Sequence, residues 1–144
     1  MHVLETLVAP CGLHCGVCPL YKASSNPQLA QMLAEKYNTK PEYMTCTGCR
    51  PAKGSPTPLR GTVCKTYACA EEKGFHLCNE CNDFPCNRLA PLADRAALVP
   101  HNTKIFNLLR IRRDGLEAWS NEAERLNQQY FGAKIRFGDE PQKS

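Results

Sequence analysis

Ten cysteines carry the chemistry that this chain can do. Six of them form three C-x-x-C pairs, Cys15/Cys18, Cys46/Cys49 and Cys78/Cys81; Cys11, Cys64, Cys69 and Cys86 stand between or beside the pairs. A C-x-x-C turn can bring both sulfurs onto one metal ion while backbone N–H groups point at the thiolates, and Gly16 and Gly48 suit such turns. One pair alone would equally be a redox motif or chance. Three pairs with four further thiols point to thiolate metal ligation. The candidate ligands are Cys15, Cys18, Cys46, Cys49, Cys64, Cys69, Cys78 and Cys81, which fill two tetrahedral sites. Cys11 and Cys86, next to Pro10 and Pro85, are left over; each is read as a small buried apolar residue, or else as part of a different metal arrangement.

How the ligands divide is open to two schemes. Fourteen residues separate Cys49 from Cys64, within the usual range for the two halves of a four-cysteine zinc site. That favours Cys46, Cys49, Cys64 and Cys69 as one set, with Cys15, Cys18, Cys78 and Cys81 as the other. The rival scheme joins Cys64, Cys69, Cys78 and Cys81, and leaves Cys15/Cys18 to Cys46/Cys49. Zinc, about two ions, is the expected metal because it prefers four thiolate or imidazole ligands in paired knuckles. An iron–sulfur cluster serving electron transfer or redox enzymology is the alternative. The C-x-x-x-C-x-x-C run from Cys11 to Cys18, followed by Pro19, resembles ferredoxin spacing, but in reversed order and without a fourth local cysteine. The same triad matches radical enzymes that cleave S-adenosylmethionine, whose barrel does not fit within 144 residues.

Other chemistries find little support. His14 and His76 lie near cysteines and are read as ordinary hydrogen-bonded histidines before ligands. There is no H-E-x-x-H, phosphate loop or nucleophile elbow, so no catalytic residue is assigned and a binding or adaptor module is expected rather than an enzyme. A disulfide framework would need an oxidising compartment. Residues 1–10 do not read as an export signal: no cationic start, an apolar stretch broken by Glu5 and Thr6, and Pro10 at its end. A cytoplasmic location with reduced thiols is therefore expected. The net charge of +4 is mild. Lys104, Arg110, Arg112 and Arg113 are followed at once by Asp114, Glu117, Glu122 and Glu124, which reads as a solvated helix face. A protein partner is favoured over nucleic acid, and no run approaches the ~20 apolar residues of a membrane span.

The elements that must hold these turns are few and short. Apolar residues make up 42% of the chain, roughly 35% without cysteine, and the mean hydropathy is −0.44, so the apolar core is thin. Asn26 and Pro27 open a helix with Leu29, Met32, Leu33 and Tyr37 on its apolar face and Asn38 at its end. Residues 46–64, punctuated by proline and glycine, read as loop. A helix spans Lys65 to Lys73 and stops at Gly74. Pro85 to Leu98 reads as helical, interrupted at Pro91. Asn102 or Thr103 opens a helix bearing Ile105, Phe106, Leu108, Leu109 and Ile111. Asp114 with Glu117 resembles a capping box before a last helix whose Leu116, Trp119, Ala123, Leu126 and Tyr130 share a face. The fold class expected is a small α-rich or irregular α+β domain stapled by cysteine-rich zinc knuckles. Its organisation is a metal-binding region over 1–100, a helical segment packed on it over 101–137, and a frayed tail over 138–144.

The segment Pro10-Cys11-Gly12-Leu13-His14-Cys15-Gly16-Val17-Cys18-Pro19-Leu20-Tyr21 resembles the opening motif of a prokaryotic cysteine-rich family catalogued only as a domain of unknown function. Cys46-Thr47-Gly48-Cys49, Cys64 to Gly74, and Cys78-Asn79-Glu80-Cys81-Asn82-Asp83-Phe84-Pro85-Cys86 are similar to its later elements. The resemblance covers roughly residues 8–90. Longer members continue with a helix resembling Asn107 to Trp119 and then a terminal zinc-ribbon-like cysteine set. Here Phe131 to Phe137 is at most a remnant strand and carries no thiol. The resemblance implies a cytosolic, zinc-binding prokaryotic protein and supplies no reaction.

Overall fold

The computed structural model describes residues 3–94, 96–97, 99–139 and 141–143. It is helix-rich. In chain order its α-helices are α1 (Val3–Leu7), α2 (Pro19–Ala23), α3 (Pro27–Lys36), α4 (Lys65–Lys73), α5 (Lys104–Asp114) and α6 (Leu116–Gly132). Short 3₁₀ turns occupy much of the chain between them, including Cys15–Val17, Cys78–Glu80 and Asn87–Leu89. The strands β1 (Ala133–Lys134) and β2 (Gln142–Lys143) form one small antiparallel pair, with Ala133 opposite Lys143. Thus β2 lies in the segment expected to fray.

Local signals set several helix ends where the sequence puts them. Asn26 caps α3, its side chain accepting from the Leu29 N–H at 3.1 Å, with Pro27 as the first helical residue. α4 runs over Lys65–Lys73 and ends at Gly74 in the left-handed conformation. α6 buries Trp119 and Ala123 from the expected apolar face.

Three local expectations are corrected. α3 buries Ala30 and Ala34 with Leu33 half-buried beside them, an i, i+3, i+4 face that leaves Met32 pointing away and 65% exposed. Among the described residues from Pro85 to Ala97, only the Asn87–Leu89 turn is helical; Arg95 and Leu98 fall outside the described residues. There the Asn102 carboxamide takes both backbone groups of Leu92, accepting from its N–H at 2.8 Å and donating to its carbonyl at 3.0 Å. A side chain thus satisfies the groups that a helix would have paired. No capping box opens α6: Gly115, at φ 90°, is the cap residue, and Asp114 pairs with Arg110 and Arg113 instead.

The core gathers Val8, Ala9, Cys11, Leu77, Leu89, Leu108, Ile111 and Trp119. It draws from the N-terminal segment, the loops around residues 77 and 89, and both C-terminal helices, so it joins the cysteine turns to α5 and α6. Burying one large apolar side chain contributes about 1.5–3 kcal/mol, so a cluster of this size leaves a narrow margin over chain entropy. One polar residue lies inside it. Asn107 donates to the Gly12 carbonyl at 2.9 Å and to Thr103 Oγ1 at 3.2 Å, and accepts from Trp119 Nε1 at 3.3 Å. Every polar atom of that amide is engaged, which is what makes its burial tolerable. At Gly12, φ is +88° and an added Cβ would lie 2.9 Å from Leu108 Cγ, so the first cysteine loop approaches α5 at glycine distance.

Candidate metal centre

Each C-x-x-C turn is built by its own short-range bonds. In the first, an isolated bridge pairs Val8 with His14, and the Cys18 N–H donates to the Cys15 carbonyl at 2.9 Å. In the second, Ser24 Oγ accepts from the Cys46 N–H at 2.9 Å and donates to the Cys46 carbonyl at 2.7 Å. The Gly48 N–H points at Cys46 Sγ, 3.4 Å away, the N–H···S arrangement that stabilises a thiolate. Gly54 then ties this turn to α4: its N–H donates to the Cys49 carbonyl at 2.8 Å, and its carbonyl accepts from the Cys64 N–H at 2.7 Å. In the third, the Cys81 N–H donates to the Cys78 carbonyl at 3.2 Å and the Glu80 carboxylate accepts from the Leu77 N–H.

Longer-range bonds bring the three turns together. Arg50 clamps two segments, donating from Nε to the Val8 carbonyl at 2.7 Å and from a terminal nitrogen to the His76 carbonyl at 2.6 Å. The Cys78 N–H reaches the Pro10 carbonyl at 2.8 Å, and Asn79 donates to the Leu108 carbonyl at 2.9 Å. Arg112 donates to the Asn79 carbonyl at 2.6 Å and lies 5.1 Å from the Phe84 ring centroid. Lys73 Nζ lies 3.5 Å from Cys81 Sγ and 3.0 Å from Asp83.

The thiols sort by neighbour. The adjacent Cys49 thiol and backbone hold Cys15 below the usual thiol range, and Cys15 with burial pushes Cys49 up. Burial raises Cys18, with smaller contributions from Cys15 and Cys46. Cys15, Cys18, Cys46 and Cys49 are therefore one neighbourhood. Burial pushes Cys78 up to about 12, and Cys11, Cys86, Cys69 and Cys81 add to that rise. Cys69, Cys78, Cys81 and Cys86 are a second neighbourhood. Cys11 lies between the two, raised by burial and within electrostatic reach of Cys64 and Cys15. The first turn thus lies beside the second, and Cys69 lies within electrostatic reach of Cys78. Cys64 sits nearer Cys49 and Cys11. Cys11 is buried, whereas Cys86 is exposed and is not the buried apolar residue that one sequence reading made it.

Among the described residues, no three His, Cys, Asp or Glu side chains converge closely enough to hold a metal ion. The donor chemistry nevertheless suits a thiophilic ion: thiols in two neighbouring C-x-x-C turns and an N–H aimed at sulfur. The histidines do not join them. His14 Nδ1 accepts from the Gly16 N–H at 3.0 Å, which leaves Nε2 to carry the proton and donate to Ser120 Oγ at 2.7 Å. Burial, then the nearby Arg50 charge, lowers the His76 pKa, and its buried Nε2 has no hydrogen-bond partner among the described residues. The basic residues of α5 are largely engaged: Arg110 bonds Asp114 at 2.7 Å and Glu122 at 3.1 Å, and Arg113 bonds Asp114 at 2.8 Å. Sequence reasoning missed Ser24, Arg50, Asn79 and Asn107 as residues that position the turns. Arg50, directly after Cys49, and Asn79, directly after Cys78, had a local cue in their place beside the cysteines.

Fold and site together define a helix-rich, cysteine-rich domain whose C-x-x-C turns meet against two C-terminal helices. The chain belongs to the family described as Protein of unknown function (DUF3795), whose model matches residues 7–91, more than half of its length. No curated protein and no solved structure matches it. No helix among the described residues is long and apolar enough to cross a membrane.

Proposed function

We propose that this protein is a zinc-binding, metal-stabilised binding or adaptor module of the prokaryotic cytoplasm, with zinc in structural thiolate sites. The observation that carries the reading is the close approach of two C-x-x-C turns: a Cβ added at Gly48, between Cys46 and Cys49, would lie only 3.4 Å from Cys15 Sγ. Cys15, Cys18, Cys46 and Cys49 would hold one ion; Cys69, Cys78, Cys81 and Cys86 would hold another. Zinc there would supply cross-links between segments that the thin apolar core holds weakly. A protein partner is favoured over nucleic acid because the arginines of α5 are spent on carboxylates and backbone.

The test is metal analysis of untagged protein purified without oxygen. About two zinc ions per chain and no visible absorbance are expected, four thiolates serving each ion. Iron and sulfide with visible absorbance would replace zinc with the iron–sulfur alternative. Cys86→Ser should lower the zinc content to about one ion, while Cys64→Ser should leave about two. The reverse pattern would reject this ligand division.

A further inference from the structure

The loop between Cys49 and Cys64 does more than join two cysteines. It is rich in hydroxyls and prolines, and successive tight turns stiffen it: Ser55 N–H to the Ala52 carbonyl, Leu59 N–H to that of Pro56, Arg60 N–H to that of Thr57. Its ends are fastened by Gly54, as described above. Against the Pro41–Met44 turn it forms an open cleft of about 540 Å³ lined by Tyr43, Thr47, Ala52, Ser55, Thr57 and Arg60, among others. That volume falls within the range of small-molecule sites, ~300–1,000 Å³.

The lining groups are unspent. Thr45 and Thr62, just outside, turn their hydroxyls onto backbone carbonyls at 3.3 and 2.7 Å. Among the described residues, the hydroxyls of Thr47, Ser55 and Thr57 have no partner within the chain, and Arg60 has no carboxylate. Arg60 is also held in the left-handed conformation, φ 48° and ψ 51°, with its guanidinium 5.7 Å from the Tyr43 ring centroid. That backbone is disfavoured for a residue with a side chain, and the nearby ring restricts where the cation can go. The same cavity is thus lined by an exposed cation without a carboxylate partner and by three hydroxyls without partners among the described residues.

We propose that this cavity binds a small phosphate monoester. A guanidinium grips two phosphate oxygens in a fork, and three hydroxyls provide donors for the remaining lone pairs. That donor number suits the three terminal oxygens of a phosphate better than the two of a carboxylate. Ala52, Pro56 and the Tyr43 ring give the organic part of the ester an apolar wall. The site needs no metal, so it stands apart from the zinc reading.

The experiment is an amide-resolved NMR titration of the full chain, as purified with its metal, using phenyl phosphate at constant ionic strength. Saturable shifts are expected at Tyr43, Thr47, Ser55, Thr57 and Gly61, with a Kd on the order of 1 mM or tighter. Inorganic phosphate should bind more weakly, and benzoate should bind weakest. Arg60→Met should weaken phenyl phosphate at least about tenfold, with Arg60→Lys between the two, as expected when a charged hydrogen bond is lost. Thr57→Val, which keeps shape and removes one donor, is the second variant should Arg60→Met not fold. Absent or non-saturating shifts, benzoate binding as tightly as phenyl phosphate, inorganic phosphate binding equally well, or a Thr57→Val or Arg60→Met variant of unchanged affinity would each overturn the assignment.

Discussion

Asn107 shows how much one residue can decide in a domain with a thin core. Its amide links the first cysteine loop through the Gly12 carbonyl to the α6 tryptophan through Trp119 Nε1, and Thr103, the residue just before α5, is the third partner. Asn107→Ala removes that link and leaves a buried carbonyl and a buried indole N–H without partners. Each orphaned group costs ~1–3 kcal/mol, so a loss of about 2–4 kcal/mol is expected in urea unfolding. A loss below about 0.5 kcal/mol, the range of a neutral surface change, would mean that water replaces the amide. Arg50 is comparable in reach but acts through a rigid fork. Arg50→Lys should destabilise although it keeps the charge, since one ammonium cannot span the Val8 and His76 carbonyls as the guanidinium does.

Among elements, the loop clasp at Gly54 and the junction of α5 with α6 make the clearest demands. Gly54 has φ +83°, and an added Cβ would fall 2.4 Å from Tyr67 Cδ1 on α4. Gly54→Ala must therefore shift either the loop or the ring. It should cost ~2 kcal/mol or more in thermal or urea unfolding, from the left-handed backbone and the overlap together. A well-tolerated alanine would show that the clasp is loose. At the helix junction, hydrogen bonds from Arg113 and Arg110 hold the Asp114 carboxyl down at about 2, below its ordinary value near 3.8. A depressed carboxyl contributes stability that is present above its unfolded pKa and lost as pH falls through the folded one. Asp114→Asn should therefore lower the Tm at neutral pH and low salt, and the difference from wild type should fade between about pH 4 and pH 2. High salt should shrink it as well, because the pair is open to solvent. A difference that persists at pH 2 would assign the effect of Asp114 to something other than its charge.

For the molecule as a whole, the balance lies between a small apolar core and the thiols packed around it. Cys11 belongs to the core itself, and Cys49 and Cys78 pack against it. Drawing sulfurs onto zinc would therefore tie the metal sites to the same buried cluster that seats α5 and α6. Structural zinc contributes about 10–16 kcal/mol of apparent binding free energy at neutral pH. The whole stability of a typical domain is ~5–15 kcal/mol. On the zinc reading, a chelator should melt residues 11–86, and the C-terminal helices should lose their packing in the same transition. Circular dichroism and Trp119 fluorescence should change together. An unchanged spectrum and midpoint after verified metal removal would leave the core to hold the fold alone and remove the structural role for zinc.

Much of this was legible before any coordinates. α4 from Lys65 to Lys73, the Asn26–Pro27 start of α3 and the Trp119–Ala123 face of α6 all follow from signals within one or two turns of chain, where the competing conformations are few. The cysteine motifs identified the family for the same reason: their spacing is local. What the sequence could not determine is what faces what. The placement of the first two cysteine turns depends on Arg50, Ser24 and Asn107 bonding to carbonyls far along the chain, and carbonyls leave no mark in the sequence. The same holds for residues 85–97, where helical periodicity loses to the Asn102 amide, and for the Arg60 cavity, bounded by a turn that precedes the loop. Long-range pairing repays its entropy only once the partners are already close, so it is decided by the folded whole and not by any single segment.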